Sequence, residues 1–224
     1  MARYTYVMSD IHGQFDALMK MMQQIGFSEE DELYVLGDVI DRGSKSIECI
    51  KWIMEKDNVL TLLGNHELML YDTYIHDAEP LYSSLTDVRE KLSVEEQEKV
   101  MQWIMDMPEC KLITVEGQKF YLNHTQAVSP EYFKEELTDR MFPDYSKYTD
   151  YNSLTIKDII SIHGHIPTIQ MRMWNGQTKD SSIWKNKSET IIDIDCGAGY
   201  PRKGGKLGCL RLNDMKEFYV NISM

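Results

Sequence analysis

Five of the six histidines in this chain of 224 residues fall inside short blocks rich in other metal-binding or phosphate-binding residue types. In chain order the blocks are Asp10-Ile11-His12, Gly37-Asp38-Val39-Ile40-Asp41-Arg42-Gly43, Gly64-Asn65-His66-Glu67, Asn123-His124 and His163-Gly164-His165. Carboxylate oxygen and imidazole nitrogen together suit Mn, Fe or Zn better than Ca or Mg alone. Asp10 and His12, two residues apart at a turn, can aim at one ion, and Asp38 arrives from the next block. Asn65, His124 and His165 can furnish a second pocket. Asp38 would then bridge two ions about 3.5–4 Å apart, the usual two-metal separation.

Charge counting says what such a centre would attract. Two divalent ions carry more positive charge than Asp10 and Asp38 can cancel, and the remaining ligands are neutral. A net positive centre draws in a phosphate dianion, and a water shared by both ions becomes a nucleophile near neutral pH. Arg42 follows Asp41 directly, and its planar fork suits phosphate oxygens. Asn65 borders the same phosphate position. His66 sits beside the ligand Asn65 without having to bind metal, so it is the candidate general acid for the leaving oxygen. Asp41 is the candidate partner that orients the His66 ring.

These blocks need elements to hold them. Tyr4–Ser9, Glu32–Leu36 and Val59–Leu63 read as β-strands, and each stops at a block. Phe15, Leu18, Met19 and Met22 keep helical spacing between the first two strands. Ile47, Ile50 and Trp52-Ile53-Met54 give a second apolar face. Strand, helix, strand, helix, strand is the rhythm of a parallel sheet covered by helices. Ligands collect at the carboxyl ends of such strands.

From Leu68 to Pro108 the chain reads as helical and polar, an insertion expected to wrap one sheet edge and wall the site. Ser93 and Glu96 form a capping box, and Val100, Ile104 and Met107 make one apolar face. The second half is strand-rich. Lys111–Val115 and Lys119–Leu122 flank a hairpin turn at Glu116-Gly117-Gln118. Ile159–Ile162, Thr190–Ile194, Leu207–Leu212 and Glu217–Val220 follow. Residues 142–152, rich in tyrosine, and 175–188 read as loops. Two strand-rich halves imply two sheets face to face with helices outside, in one domain spanning 1–224.

The formal net charge is −12, so a long nucleic-acid backbone would be repelled and is a poor substrate expectation. No apolar run approaches membrane-span length, and Met1–Tyr6 leads into a strand pattern without a secretory signal. A cytoplasmic location is expected, with Cys49, Cys110, Cys196 and Cys209 as free thiols.

The ordered set D-x-H, G-D-x-x-D-R-G, G-N-H-E, a lone His and then G-H resembles the metallophosphoesterase superfamily. Within it, the chain is similar to the phosphoprotein phosphatase branch. That branch includes bacterial and phage serine/threonine phosphatases and symmetrical diadenosine tetraphosphate hydrolases. The resemblance runs from Asp10 to His165. It implies an αββα sandwich of two mixed β-sheets flanked by helices, with a helical insertion after the third strand. It implies one divalent ion on Asp10, His12 and Asp38, and another on Asp38, Asn65, His124 and His165. Manganese is the expected metal, with Fe, Zn or Ni as alternatives. Arg42 and a second arginine would clamp the phosphate, and Arg140 occupies the second slot. Two departures mark the chain. Thr138 stands where a Trp is common, and Thr125-Gln126 follows His124 in place of small residues.

The implied activity is hydrolysis of a phosphomonoester, with phosphorylated serine or threonine in a protein first and another small phosphoester second. The alternative is symmetrical hydrolysis of dinucleoside tetraphosphates. A lesser alternative is a non-catalytic scaffold for phosphorylated partners, which a complete set of chemical roles argues against. His163 is expected to face away from the ligands, and His76 to lie on the surface. Glu67 reads either as a support for the ligands or as the acidic start of a helix. Asp195 and Gly197-Ala198-Gly199 read either as a wall of the cleft or as a plain turn.

Overall fold

A computed structural model describes residues 3–125 and 158–222. The first sheet is built from β1 (Thr5–Met8), β2 (Glu32–Val35) and β3 (Val59–Thr61), with α1 (Phe15–Ile25) and α2 (Ser46–Met54) as the crossovers. β1 pairs in parallel with β2, and β2 with β3. The strands end a residue or two before the expected limits, because the chain leaves the ladder to form the ligand loops. The insertion contains α3 (Asn65–Ile75), α4 (Ser83–Lys91) and α5 (Val94–Met105). The second sheet holds β4 (Cys110–Val115), β5 (Gln118–Asn123), β6 (Ile159–His163), β7 (Trp184–Lys185) and β8 (Ile191–Asp193), with α6 (Thr168–Trp174) between β6 and β7. β9 (Lys206–Arg211) and β10 (Lys216–Asn221) close the chain.

The sheet orders are β10-β9-β1-β2-β3 and β4-β5-β6-β8-β7. Both are mixed: β9 is antiparallel to β1, and β5, β6 and β8 run parallel between antiparallel neighbours. The last hairpin therefore returns to the first sheet, where the two-halves reading would put it in the second. Side-chain alternation along β1 sorts the layers. Tyr6 and Met8 join the core under α1 and α2, while Val7 joins Leu122, Ile162 and Ile192 between the sheets. The result is the expected αββα layering.

Local chemistry accounts for the elements. Leu18 and Met22 of α1 are buried with Ala17 and Met21, and Phe15 and Met19 pack against the same core. Met54 of α2 is instead exposed. α5 starts on the expected capping box, with Ser93 Oγ accepting from Glu96 N and Glu96 Oε2 accepting from Ser93 N. Glu116 and Gly117 both have positive φ, as a two-residue hairpin turn requires. The insertion does more than wrap an edge. Leu85, Val88, Val100 and Ile104 extend the core beneath α1 and α2. α6 and β7 lie in stretches without a clear periodic signal. Met171 of α6 packs on Trp184 and Ile191 on the outer face of the second sheet. Among the described residues no helix is long and apolar enough to cross a membrane. All four cysteines are free.

Candidate metal centre

The blocks that lie far apart in sequence meet at the carboxyl ends of β1, β2, β3, β5 and β6. The turns after β1 and β2 are tied together by main chain: Asp10 N donates to Gly37 O, His12 N to Asp38 O and Gly13 N to Val39 O. Asp10, His12, Asp38, Asp41, Arg42 and His165 all have left-handed backbones, with φ between 48° and 71°. Asp and His tolerate this region better than most residues. Each such residue costs of order 1–3 kcal/mol, and that strain collects where side chains must be aimed.

Two further contacts fix the strand ends. Glu67, fully buried, accepts from both Asp38 N and Val39 N at 2.8 Å. It is a support for the ligand loop as well as an acidic residue in the first turn of α3. A Cβ placed on Gly37 would lie 2.6 Å from Gly64 Cα, so these two turns touch backbone to backbone.

The side chains converge in two groups. Ligand-type atoms of His12, Asp38 and His66 lie within 4.8 Å of one another, as do those of Asp38, His124 and His165. Asp38 belongs to both. His12 Nε2 is 3.7 Å from Asp10 Oδ1 and 3.7 Å from Asp38 Oδ2. His124 Nε2 is 3.3 Å from Asp38 Oδ1 and 3.0 Å from Asn65 Oδ1. His165 Nδ1 is 2.8 Å from Asn65 Oδ1 and 3.3 Å from His124 Nε2. The other ring nitrogens face the protein. His12 Nδ1 meets Ile40 O at 2.9 Å, and His124 Nδ1 meets Leu36 O at 2.6 Å. These carbonyls hold Nδ1–H and leave Nε2 as a lone pair pointing inward, as metal-binding imidazoles require.

Electrostatics argue for cations. Burial pushes the His12 imidazole down to about 3 and that of His124 to about 4, so both rings are neutral ligands. Burial also lowers His165. Burial, with the charges of Asp10 and Glu67, pushes the Asp38 carboxyl well above the usual range. Burial works the same way on Asp10, but His124, His12, the His165 N–H and the Ser9 hydroxyl outweigh it and hold that carboxyl low. Asp10 Oδ1 and His12 Nε2 are buried with no hydrogen-bond partner, although they face each other. Buried acceptors left this way are costly unless a cation takes them. The donor set of carboxylate, imidazole and amide oxygen fits divalent transition metals.

His66 is placed differently from the other rings. Its Nδ1 meets Asp41 Oδ2 at 2.6 Å, and its Nε2 lies 3.3 Å from Arg42 Nη2. The guanidinium competes with any ion at that nitrogen, although His66 Nε2 is also 3.8 Å from Asp38 Oδ2. Asp41 is held by its own N–H, which donates to Ser46 Oγ and Ser84 Oγ, so the insertion does wall the site. Arg42 lies over the Tyr200 ring at 4.5 Å, and the Tyr82 ring lies 4.7 Å from that of His66. Neither tyrosine stands in a recognisable sequence pattern.

Arg140 and the 142–152 stretch lie outside the described residues. His163 is buried, and its Nδ1 lies 3.2 Å from Gly164 O. His76 is exposed on the insertion beside Asp72. Gly199 abuts the site: a Cβ there would lie 2.6 Å from His12 Cδ2 and 2.8 Å from Arg42 Cδ. Asp195 is buried, and its Oδ1 accepts from Gly197 N to shape that turn.

The symmetrical bis(5'-nucleosyl)-tetraphosphatase of Actinobacillus pleuropneumoniae serotype 3 is 33% identical over 130 residues, covering 57% of this chain and 46% of that protein. The chain thus spans about half the length of the curated relatives it matches. Among solved structures, a protein provisionally named a diadenosine tetraphosphatase superposes with a TM-score of 0.69 at 15% identity, covering 98% of this chain and 95% of that one. A serine/threonine phosphatase from Saccharomyces cerevisiae superposes with a TM-score of 0.62 at 15% identity, covering 99% and 80%. At such identities the two structures bear on the fold alone. Residues 4–197 match the calcineurin-like phosphoesterase pattern, and the chain belongs to that family of metallophosphoesterases.

Proposed function

We propose that the chain is a two-metal phosphoester hydrolase. One observation carries this reading: Asp10 Oδ1 and His12 Nε2 are buried without hydrogen-bond partners, and His12 Nε2 lies 3.7 Å from both Asp10 Oδ1 and Asp38 Oδ2, with Asp38 also in a second ligand group with His124 and His165. In this reading Asp10, His12 and Asp38 hold one ion, and Asp38, Asn65, His124 and His165 the other. When bound, the ions supply a nucleophile from water near neutral pH and polarise the phosphoryl group.

The chain's own residues do the rest. Arg42 binds two phosphate oxygens through its fork, and Tyr200 beneath it holds the guanidinium plane in place. Asn65 also borders the phosphate. His66, oriented by Asp41, carries a proton on Nε2 and gives it to the leaving oxygen as the ester P–O bond breaks. A phosphomonoester gives an alcohol and inorganic phosphate; a dinucleoside tetraphosphate, cut by water at its central P–O–P anhydride, gives two nucleoside diphosphates.

The sequence relatives put dinucleoside tetraphosphates first among substrates to test, and phosphoserine or phosphothreonine second. Manganese is the metal of first choice. The purified chain, loaded with manganese, should hydrolyse at least one of a dinucleoside tetraphosphate, a phosphopeptide and a mononucleotide, and chelation should abolish turnover. Metal-loaded protein with no turnover on any of them would remove the hydrolase reading.

A further inference from the structure

We propose that Tyr82 is a specificity residue that selects phosphoesters carrying a flat aromatic ring on the leaving side. The inference rests on the reading of His66 as the group that protonates the leaving oxygen. That oxygen must then come within about 2.6–3.2 Å of His66 Nε2. The Tyr82 ring lies 4.7 Å from the His66 ring, tilted by 49°, and covers an imidazole that is itself 1% exposed. In this proposal the group bonded to the leaving oxygen lies along Tyr82, which borders the same imidazole.

The surface it meets is apolar and open. Tyr82 is 41% exposed and Leu81 beside it 78% exposed. The crevice they share with Asp41, Leu70, Pro80 and Leu85 holds only about 20 Å³. That is too small for a ring, so a ligand would lie on the outer face of Tyr82 and not inside the crevice. Tyr82 precedes α4 in an extended conformation, and Ser84 two residues later receives the Asp41 N–H. The wall is thus pinned to the same residue that orients His66. A π face of this kind stacks on any planar ring and gives little to the short alkyl arm of a phosphoserine. The shared chemistry is the ring, whether it belongs to an aryl ester or to a nucleoside.

The test compares wild type with Tyr82→Ala and Tyr82→Phe, all manganese-loaded. Substrates are phenyl phosphate, a dinucleoside tetraphosphate and a phosphoserine peptide. For Tyr82→Ala, kcat/KM should fall roughly tenfold on at least one ring-bearing substrate and stay within about twofold on the phosphoserine peptide. Tyr82→Phe should keep the wild-type preference. The two ring-bearing arms tell aryl from nucleoside recognition. A loss of equal size on all three substrates, or no loss on any, would overturn the proposal. Phenylphosphonate and methylphosphonate give a second readout, because neither needs turnover. Calorimetry should show tighter binding of the phenyl compound by wild type and Tyr82→Phe, with the preference lost in Tyr82→Ala. An inactive wild type that still shows this pattern would count against the hydrolase reading and leave Tyr82 in its role. An active wild type without the pattern would do the reverse.

Discussion

Nδ1 of His66 lies 2.6 Å from Oδ2 of Asp41, and both side chains are almost fully buried. Asp41 holds the ring at Nδ1, which leaves Nε2 beside Arg42 as the nitrogen that would carry the transferable proton. His66→Asn should leave metal content unchanged and lower kcat by roughly 10²–10⁴ on esters with poor leaving groups. With an activated phenol as leaving group the loss should be much smaller. Equal losses on both, measured by steady-state kinetics, would argue against proton donation.

Glu67 offers a different lever, because it touches the ligand loop and not the reacting atoms. Glu67→Ala would strip the acceptors from Asp38 N and Val39 N, leaving two buried donors unpaired at about 1–3 kcal/mol each. Manganese affinity should fall roughly 10–100-fold, the usual effect of losing such a support. Glu67→Gln keeps one acceptor oxygen and should lose less. Metal titration followed by calorimetry decides this, and unchanged affinity in Glu67→Ala would show that the loop holds its shape alone.

Asp38 belongs to both ligand groups, so Asp38→Asn should weaken both ion positions together. Metal analysis that still found two ions per chain would contradict the bridge. In wild type, ions that bind only the folded chain add about 2.7 kcal/mol at a hundredfold excess over Kd. Thermal melts with and without chelator should therefore differ by several degrees.

The metal-free protein should also carry a pH signature. His12 is pushed down to about 3 and His124 to about 4, below the unfolded value of about 6.5. Below that value the unfolded chain takes up protons that the folded chain refuses, so stability falls as pH drops from about 6.5 towards about 3. After chelation, a His12→Gln, His124→Gln double variant should show a shallower fall in Tm between pH 6.5 and 4.5. An identical slope in wild type and variant would assign the proton uptake to other groups.

Arg42 rests on Tyr200, a contact worth about 0.5–2 kcal/mol when desolvated. Tyr200→Leu should lower kcat/KM about 2- to 30-fold through weaker phosphate binding, and Tyr200→Phe should not. Inhibition by inorganic phosphate provides an independent measure of the same site.

The convergence of the candidate metal-site residues was legible because the blocks stand at strand ends and each residue type has few structural reasons to be there. Asp10-Ile11-His12 after an apolar β-branched run is such a case. Other parts were not legible, for physical reasons. β7 is two residues long and exists only because Trp184 and Lys185 pair with β8, so no periodicity announces it. α6 buries only Thr168 and Met171, too few for an amphipathic pattern. The return of β9 to β1 is a long-range pairing that local sequence does not encode. Tyr82 and Tyr200 reach the site from the insertion and from a late turn, and their importance lies in what they touch.

The contact between Gly37 and Gly64 sets a dimension that no ligand side chain controls. Asp38 and Asn65 each follow one of these glycines, so the separation of these two proposed donors to the second ion is a property of main chain pressed on main chain. Exchanging donors would alter which ion is preferred while the span between them stayed put. A bulkier residue at either glycine would instead pry Asp38 and Asn65 apart with every donor still present.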